Sequence, residues 1–145
     1  MKKPGILLSG ALLALLLSST SCQQDGCELT GGSWKAVSTD VASDKLRPSM
    51  VALTQAEILN TNYTFRPDGS VVQTGSSESP EPKTGTWKWR DGERTRIDLS
   101  FAGYQDESYL VKSCSEGSLV LAQRIPQDTT QPALLSIETV FQRAE

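Results

Sequence analysis

From Asn62 onward the chain alternates apolar and polar positions with a period of two. Tyr63 and Phe65 alternate with Thr64 and Arg66, and Gly85, Trp87 and Trp89 with Thr86, Lys88 and Arg90. Ile97, Leu99 and Phe101 follow, then Tyr109 and Val111, then Leu119, Leu121 and Gln123, each set interleaved with polar or small residues. Successive side chains of a strand point to opposite faces, so each run predicts a half-buried strand. Turn signals punctuate them. Pro67-Asp68-Gly69 makes Asn62 to Thr74 a hairpin, because proline presets the first corner and glycine accepts positive φ. Asp91-Gly92 and Glu116-Gly117 mark two more turns. Leu29 to Val37 reads as a first strand with Gly32, Trp34 and Ala36 on one face, and Leu135 to Gln142 as a last one with Ile137 and Phe141 together.

Three stretches break the rhythm. Ser38 to Ser49 is polar, ends in Arg47-Pro48 and reads as turn or irregular backbone. Leu53 to Leu59 reads as a short helix, with Thr54 as cap, Glu57 three positions on as in a capping box, and Leu53, Ala56 and Leu59 or Asn60 facing inward. Gly75 to Lys83 and Pro126 to Pro132 are polar loops. The prediction is an all-β domain of about eight short antiparallel strands with one short helix. Such strands hide their edges by closing into a barrel, or by packing as a flattened barrel or sandwich; both satisfy the same alternation.

The first residues differ in kind. Lys2 and Lys3 precede an apolar run, Ile6 to Leu17, interrupted only by Ser9 and Gly10, and then come Ser18-Ser19-Thr20-Ser21 and Cys22. This is the layout of a secretory signal peptide over residues 1–21, too short for a permanent membrane span of about 20 apolar residues. Leu17-Ser-Ser-Thr-Ser-Cys22 resembles a relaxed bacterial lipobox, with Ser19 where an aliphatic residue is usual. The resemblance implies cleavage before Cys22, acyl chains on that cysteine, and residues 22–28 as a lipidated tether. Each buried CH₂ contributes about 0.8 kcal/mol to such an anchor. Gln23, rather than aspartate, follows the cysteine, which implies an outer-membrane address in the bacterial envelope. Cleavage without lipidation is the alternative.

Removal of residues 1–21 leaves 124 of 145 residues, enough for one domain, residues 29–145, with one core. Loss of Lys2 and Lys3 takes the formal charge from -3 to -5. No basic run is present, which argues against nucleic acid as a partner. The sequence has no histidine, so Ser-His-Asp, Cys-His and HExxH arrangements are excluded within this chain. With Cys22 lipidated, Cys27 and Cys114 remain in an oxidising compartment, and a disulfide between them is expected; two unpaired thiols are the alternative.

Three short pieces carry a resemblance to a family. They are Leu29-Thr-Gly-Gly-Ser-Trp34, with a Gly-x-Trp opening the first strand; Tyr63-Thr-Phe-Arg-Pro-Asp-Gly-Ser-Val71; and Thr84-Gly-Thr-Trp-Lys-Trp89 with Asp91-Gly92 behind it. Together, over Leu29 to Arg124, they are similar to the lipocalin-like lipoproteins of Bacteroidetes and related bacteria. The resemblance implies a barrel closed at one end by Trp34 under a late-strand arginine, with Arg124 the nearer candidate and Arg143 the other. It supports ligand binding less than it supports the fold.

Tyr63, Phe65, Trp87, Trp89, Ile97, Leu99, Phe101, Tyr109 and Val111 would all face the interior, as the wall of a ligand site or as packed core. Trp87 and Trp89 are the aromatic wall on the first reading and core filling on the second. Asp98 falls on the polar face of its strand, and Asp106, Glu107 and Glu116 fall at turns, so all four read as solvated surface rather than a catalytic carboxylate pair. No metal, cofactor or catalytic residue is implied. Two functions follow: a non-catalytic carrier or sensor of a small apolar ligand, or a packed-barrel accessory that meets another envelope protein or a glycan through its surface.

Overall fold

The computed structural model describes residues 27–76 and 80–144. The expected leader, Cys22 and the tether as far as Gly26 lie outside the described residues. The order is β1 (Ser33–Ala42), α1 (Pro48–Leu59), β2 (Asn62–Phe65), β3 (Ser70–Thr74), β4 (Lys83–Trp89), β5 (Arg96–Phe101), β6 (Glu107–Cys114), β7 (Ser118–Ile125) and β8 (Leu135–Ala144). The eight strands form a closed barrel in which every strand pairs antiparallel with its sequence neighbours. β8 returns to β1, from Ser33 opposite Ala144 to Ala42 opposite Ser136. Closure settles the barrel-or-sandwich alternative: no strand edge is left to pair with another chain.

β1 begins at Ser33 rather than Leu29 and runs on to Ala42 rather than ending at Val37. A bulge between Ala36 and Ser38 shifts its register by one residue, so Thr39 and Val41 turn inward after Trp34 and Ala36. Inside, the Thr39 hydroxyl lies 3.0 Å from that of Thr139. A bulge interrupts the period of two, which is why the polar stretch after Val37 reads as irregular backbone.

α1 also departs from expectation. It starts at Pro48, with Arg47 at the N-cap and no side-chain cap; proline at N1 lacks only an N–H that the first turn leaves unpaired anyway. Thr54 is therefore mid-helix, its hydroxyl donating to the Met50 carbonyl at 2.9 Å, and no capping box forms. None of the helix is buried. Leu53, expected inward, is 55% exposed. Thr54, Glu57 and Ile58 face the barrel instead.

The hairpin turns between β2 and β3, β4 and β5, and β6 and β7 gather at one end with Cys27 to Gly32. The other end carries α1, residues 75–76 and 80–82, and the connections 102–106 and 126–134. Trp34, Phe65, Val71, Ile97, Leu99, Leu119 and Leu121 are fully or almost fully buried between the ends. Gly85 sits where a Cβ would lie 2.2 Å from the Ser100 carbonyl oxygen and 2.6 Å from the Phe101 ring. Its missing side chain lets β4 approach β5 and the Phe101 ring turn inward.

Candidate functional site

The segment from Cys27 to Gly32 seals one end of the barrel. Trp34 is 0% exposed, and its indole N–H donates to the Leu29 carbonyl at 2.9 Å. The cation over its ring is Arg143, at 4.4 Å from the centroid, not Arg124. Arg143 lies opposite Trp34 in the β1–β8 ladder and shares its parity with Ile137, Thr139 and Phe141, so it points inward. Arg124 shares its parity with Val120 and Ala122, so it leaves the barrel and donates to the carbonyls of Pro126, Asp128 and Gln131 in its own loop. Arg143 donates to Thr30 at 3.0 Å, to Glu116 at 2.8 Å and also to Glu28. One guanidinium thus binds the N-terminal segment and the β6–β7 turn over the tryptophan. Cys27 and Cys114 are disulfide-bonded beside it, across 87 residues of sequence.

An aromatic series fills the lower half of the interior. Tyr63 stacks on Phe65 at 5.9 Å, Phe65 meets Trp87 edge-on at 5.4 Å, and Trp87 meets Trp89 at 6.1 Å. The Trp87 indole N–H donates to the Arg66 carbonyl at 2.9 Å. Both tryptophans face inward, as their parity predicts, but at the closed end, beside Cys27, Leu29 and Arg94. Phe65, Ile97, Leu99 and Val111 are core, whereas the two tryptophans are only partly buried, packing against that core and lining an open hollow of about 950 Å³ at this end.

The upper half is hollow. A cavity of about 330 Å³ opens at the α1 end. Tyr63, Phe101, Tyr109, Leu121, Ile137 and Phe141 give it an apolar wall, with Gln73, Gln123 and Thr139 between them. Of the nine interior residues expected as wall or core, Tyr63, Phe101 and Tyr109 line this space. The Tyr109 hydroxyl donates to Oε2 of Glu107 at 2.6 Å. Burial pushes both phenols well above their ordinary pKa; the Glu107 charge adds to this at Tyr63, and Tyr63 and Glu107 add to it at Tyr109. Both hydroxyls therefore stay protonated at neutral pH, as donors and acceptors rather than bases.

Glu107 is the residue the sequence reading missed. It is not turn surface but the first residue of β6, and its parity with Tyr109 and Val111 turns it inward. Glu57 and Lys83 also reach the cavity, and the Lys83 ammonium lies 3.9 Å from the centroid of the Tyr104 ring at the rim. Asp98 is on the outer wall as expected, paired with Arg90 at 3.1 Å. A second hollow, of about 360 Å³, lies on that outer wall, lined by Arg90, Arg96, Leu110, Ala122 and Arg124 among others. Among the described residues no cluster of His, Cys, Asp and Glu converges as a metal site, and no helix is long and apolar enough to cross a membrane.

No family model matches the sequence, and no curated protein matches it. The chain is similar to a solved structure of a DUF4847 family protein from Bacteroides vulgatus ATCC 8482. The two are 15% identical, with a TM-score of 0.47, over 80% of this chain and 94% of that one.

Proposed function

We propose that this protein is a lipid-anchored, lipocalin-like binding module of the bacterial envelope that holds a small, largely apolar molecule in its barrel without acting on it chemically. The observation that carries this reading is the cavity at the α1 end. Its 330 Å³ falls at the small end of the range typical of ligand sites, about 300 to 1,000 Å³. An apolar wall with a few convergent polar groups is the composition such sites share.

The anchor gives the cavity a direction. Cys22 precedes Cys27 by five residues, a reach of about 17 Å when extended. Cys27 is held at the closed end. Acyl chains on Cys22 would therefore keep that end near the membrane, by preference the outer one, and leave the mouth and α1 open to the aqueous side.

Native mass spectrometry of the Cys22→Ser protein from a bacterial periplasm tests the binding reading. The expected result is an added mass that is lost on denaturation and absent from Ile137→Phe, which narrows the cavity. A mass retained by Ile137→Phe would favour the second reading, an accessory protein working through the outer wall and its 360 Å³ hollow. Palmitate incorporated into the wild type and not into Cys22→Ser tests the anchor.

A further inference from the structure

The charge around the mouth goes further and, granted that the cavity is a binding site, names a class of ligand. We propose that the cavity selects amphiphiles with a cationic, hydrogen-bond-donating head, a protonated amine, and that Glu107 receives that head.

Among the described residues, the charged side chains that line the cavity are Glu57, Glu107 and Lys83. Among these, two carboxylates stand against one ammonium. The Lys83 charge is drawn to the rim, over the Tyr104 ring at 3.9 Å, whereas Glu107 is held against the deeper Tyr109 hydroxyl at 2.6 Å. That bond fixes the carboxylate in one orientation. A carboxylate has about four acceptor sites, so Glu107 takes a second donor without releasing Tyr109. Tyr63 is 5% exposed, and the phenols stay neutral, so neither cancels the charge of Glu107. An alkyl chain then lies against Phe101, Leu121, Ile137 and Phe141, with its head at Glu107. A fatty-acid anion in the same pose puts two carboxylates together in a partly desolvated space, which is costly without a compensating partner. Such an anion would turn instead to the Lys83 ammonium at the rim, and the test separates the two.

Titration calorimetry of the Cys22→Ser protein with decylamine, decanol and decanoate at neutral pH holds chain length constant and changes only the head. The expected result is decylamine tighter than decanoate by about tenfold or more, the ratio a charge-assisted hydrogen bond supplies. Glu107→Gln weakens decylamine by about tenfold and leaves decanol within about threefold of wild type. Glu93→Gln, which removes the same charge from an exposed turn, changes neither. Decanoate equal to or tighter than decylamine overturns the amine preference while leaving the cavity a binding site, and places the head at Lys83. Binding of none of the three overturns the binding reading and this inference with it. The wild-type series decides the preference whatever becomes of the fold of Glu107→Gln.

Discussion

Replacing Arg143 tests how the closed end is held. Arg143→Ala removes a guanidinium 4.4 Å from the centroid of a fully buried tryptophan ring, worth about 1 kcal/mol in a partly desolvated place. It also removes a charge-assisted bond to the part-buried Thr30 carbonyl, worth about 1.5 kcal/mol. The bonds to Glu116 and Glu28 are exposed and add about 0.5 kcal/mol between them. The expected loss is about 3 kcal/mol, or a fall in Tm of roughly 10 °C for a domain of this size. Arg143→Lys keeps the charge but not the planar fork and falls between. Arg124→Ala frees only loop carbonyls and costs about 1 kcal/mol or less. The assay is urea unfolding followed by far-ultraviolet circular dichroism, with the disulfide intact in every variant. An Arg124→Ala loss equal to or larger than that of Arg143→Ala would refute the reasoning.

The other expectations concern separate parts of the barrel. Cys27→Ser with Cys114→Ser is expected to lower stability to urea by about 2 to 4 kcal/mol, below the roughly 4 to 5 kcal/mol entropic ceiling for a loop of this length; an unchanged midpoint would leave the Arg143 cluster as the whole of the seal. Gly85→Ala forces backbone apart, since a Cβ there meets the Ser100 carbonyl at 2.2 Å, and is expected to cost more than about 2 kcal/mol in the same assay. Gly92→Ala, with nothing within 4 Å, should stay within about 0.5 kcal/mol of wild type. Tyr63 and Tyr109 keep their protons in the fold at a pH where the unfolded chain loses them. Their contribution is therefore fully present below about pH 10 and is lost as pH rises toward the folded values. Urea midpoints at pH 9 and 11 should fall more steeply in the wild type than in Tyr63→Phe/Tyr109→Phe, and equal slopes would count against the buried pair.

Parity was legible in the sequence and height along the barrel was not. Tyr63, Phe65, Trp87, Trp89, Ile97, Leu99, Phe101, Tyr109 and Val111 all face inward as their alternation requires. Which of them line open space depends on strand register and on where the chain crosses the ends, and neither is written in a period of two. Trp87 and Trp89 thus share parity with the cavity wall but sit below it, Trp87 edge-on to Phe65 and Trp89 edge-on to Trp87. The two misjudged charges, by contrast, carried a usable signal. Arg143 stands two positions from Phe141, and Glu107 two from Tyr109, so parity places both inside; nearness to the strands already recognised favoured Arg124, and nearness to a turn favoured a solvated Glu107. The bulge after Ala36 and the helix start at Pro48 were hidden for a different reason. A single inserted residue and a proline-led first turn both erase the local pattern on which such readings rest.

The central claim is that the hollow half of this barrel, rather than its outer wall, is where a small molecule binds. The most direct measurement is a two-dimensional ¹H–¹⁵N and aromatic NMR titration of the Cys22→Ser protein with decylamine. The account expects shifts concentrated at Tyr63, Tyr109, Leu121, Ile137 and Phe141, with Trp87 and Trp89 nearly still. Shifts confined to the outward Leu110, Ala122 and Arg124, or none at saturating ligand, would contradict it.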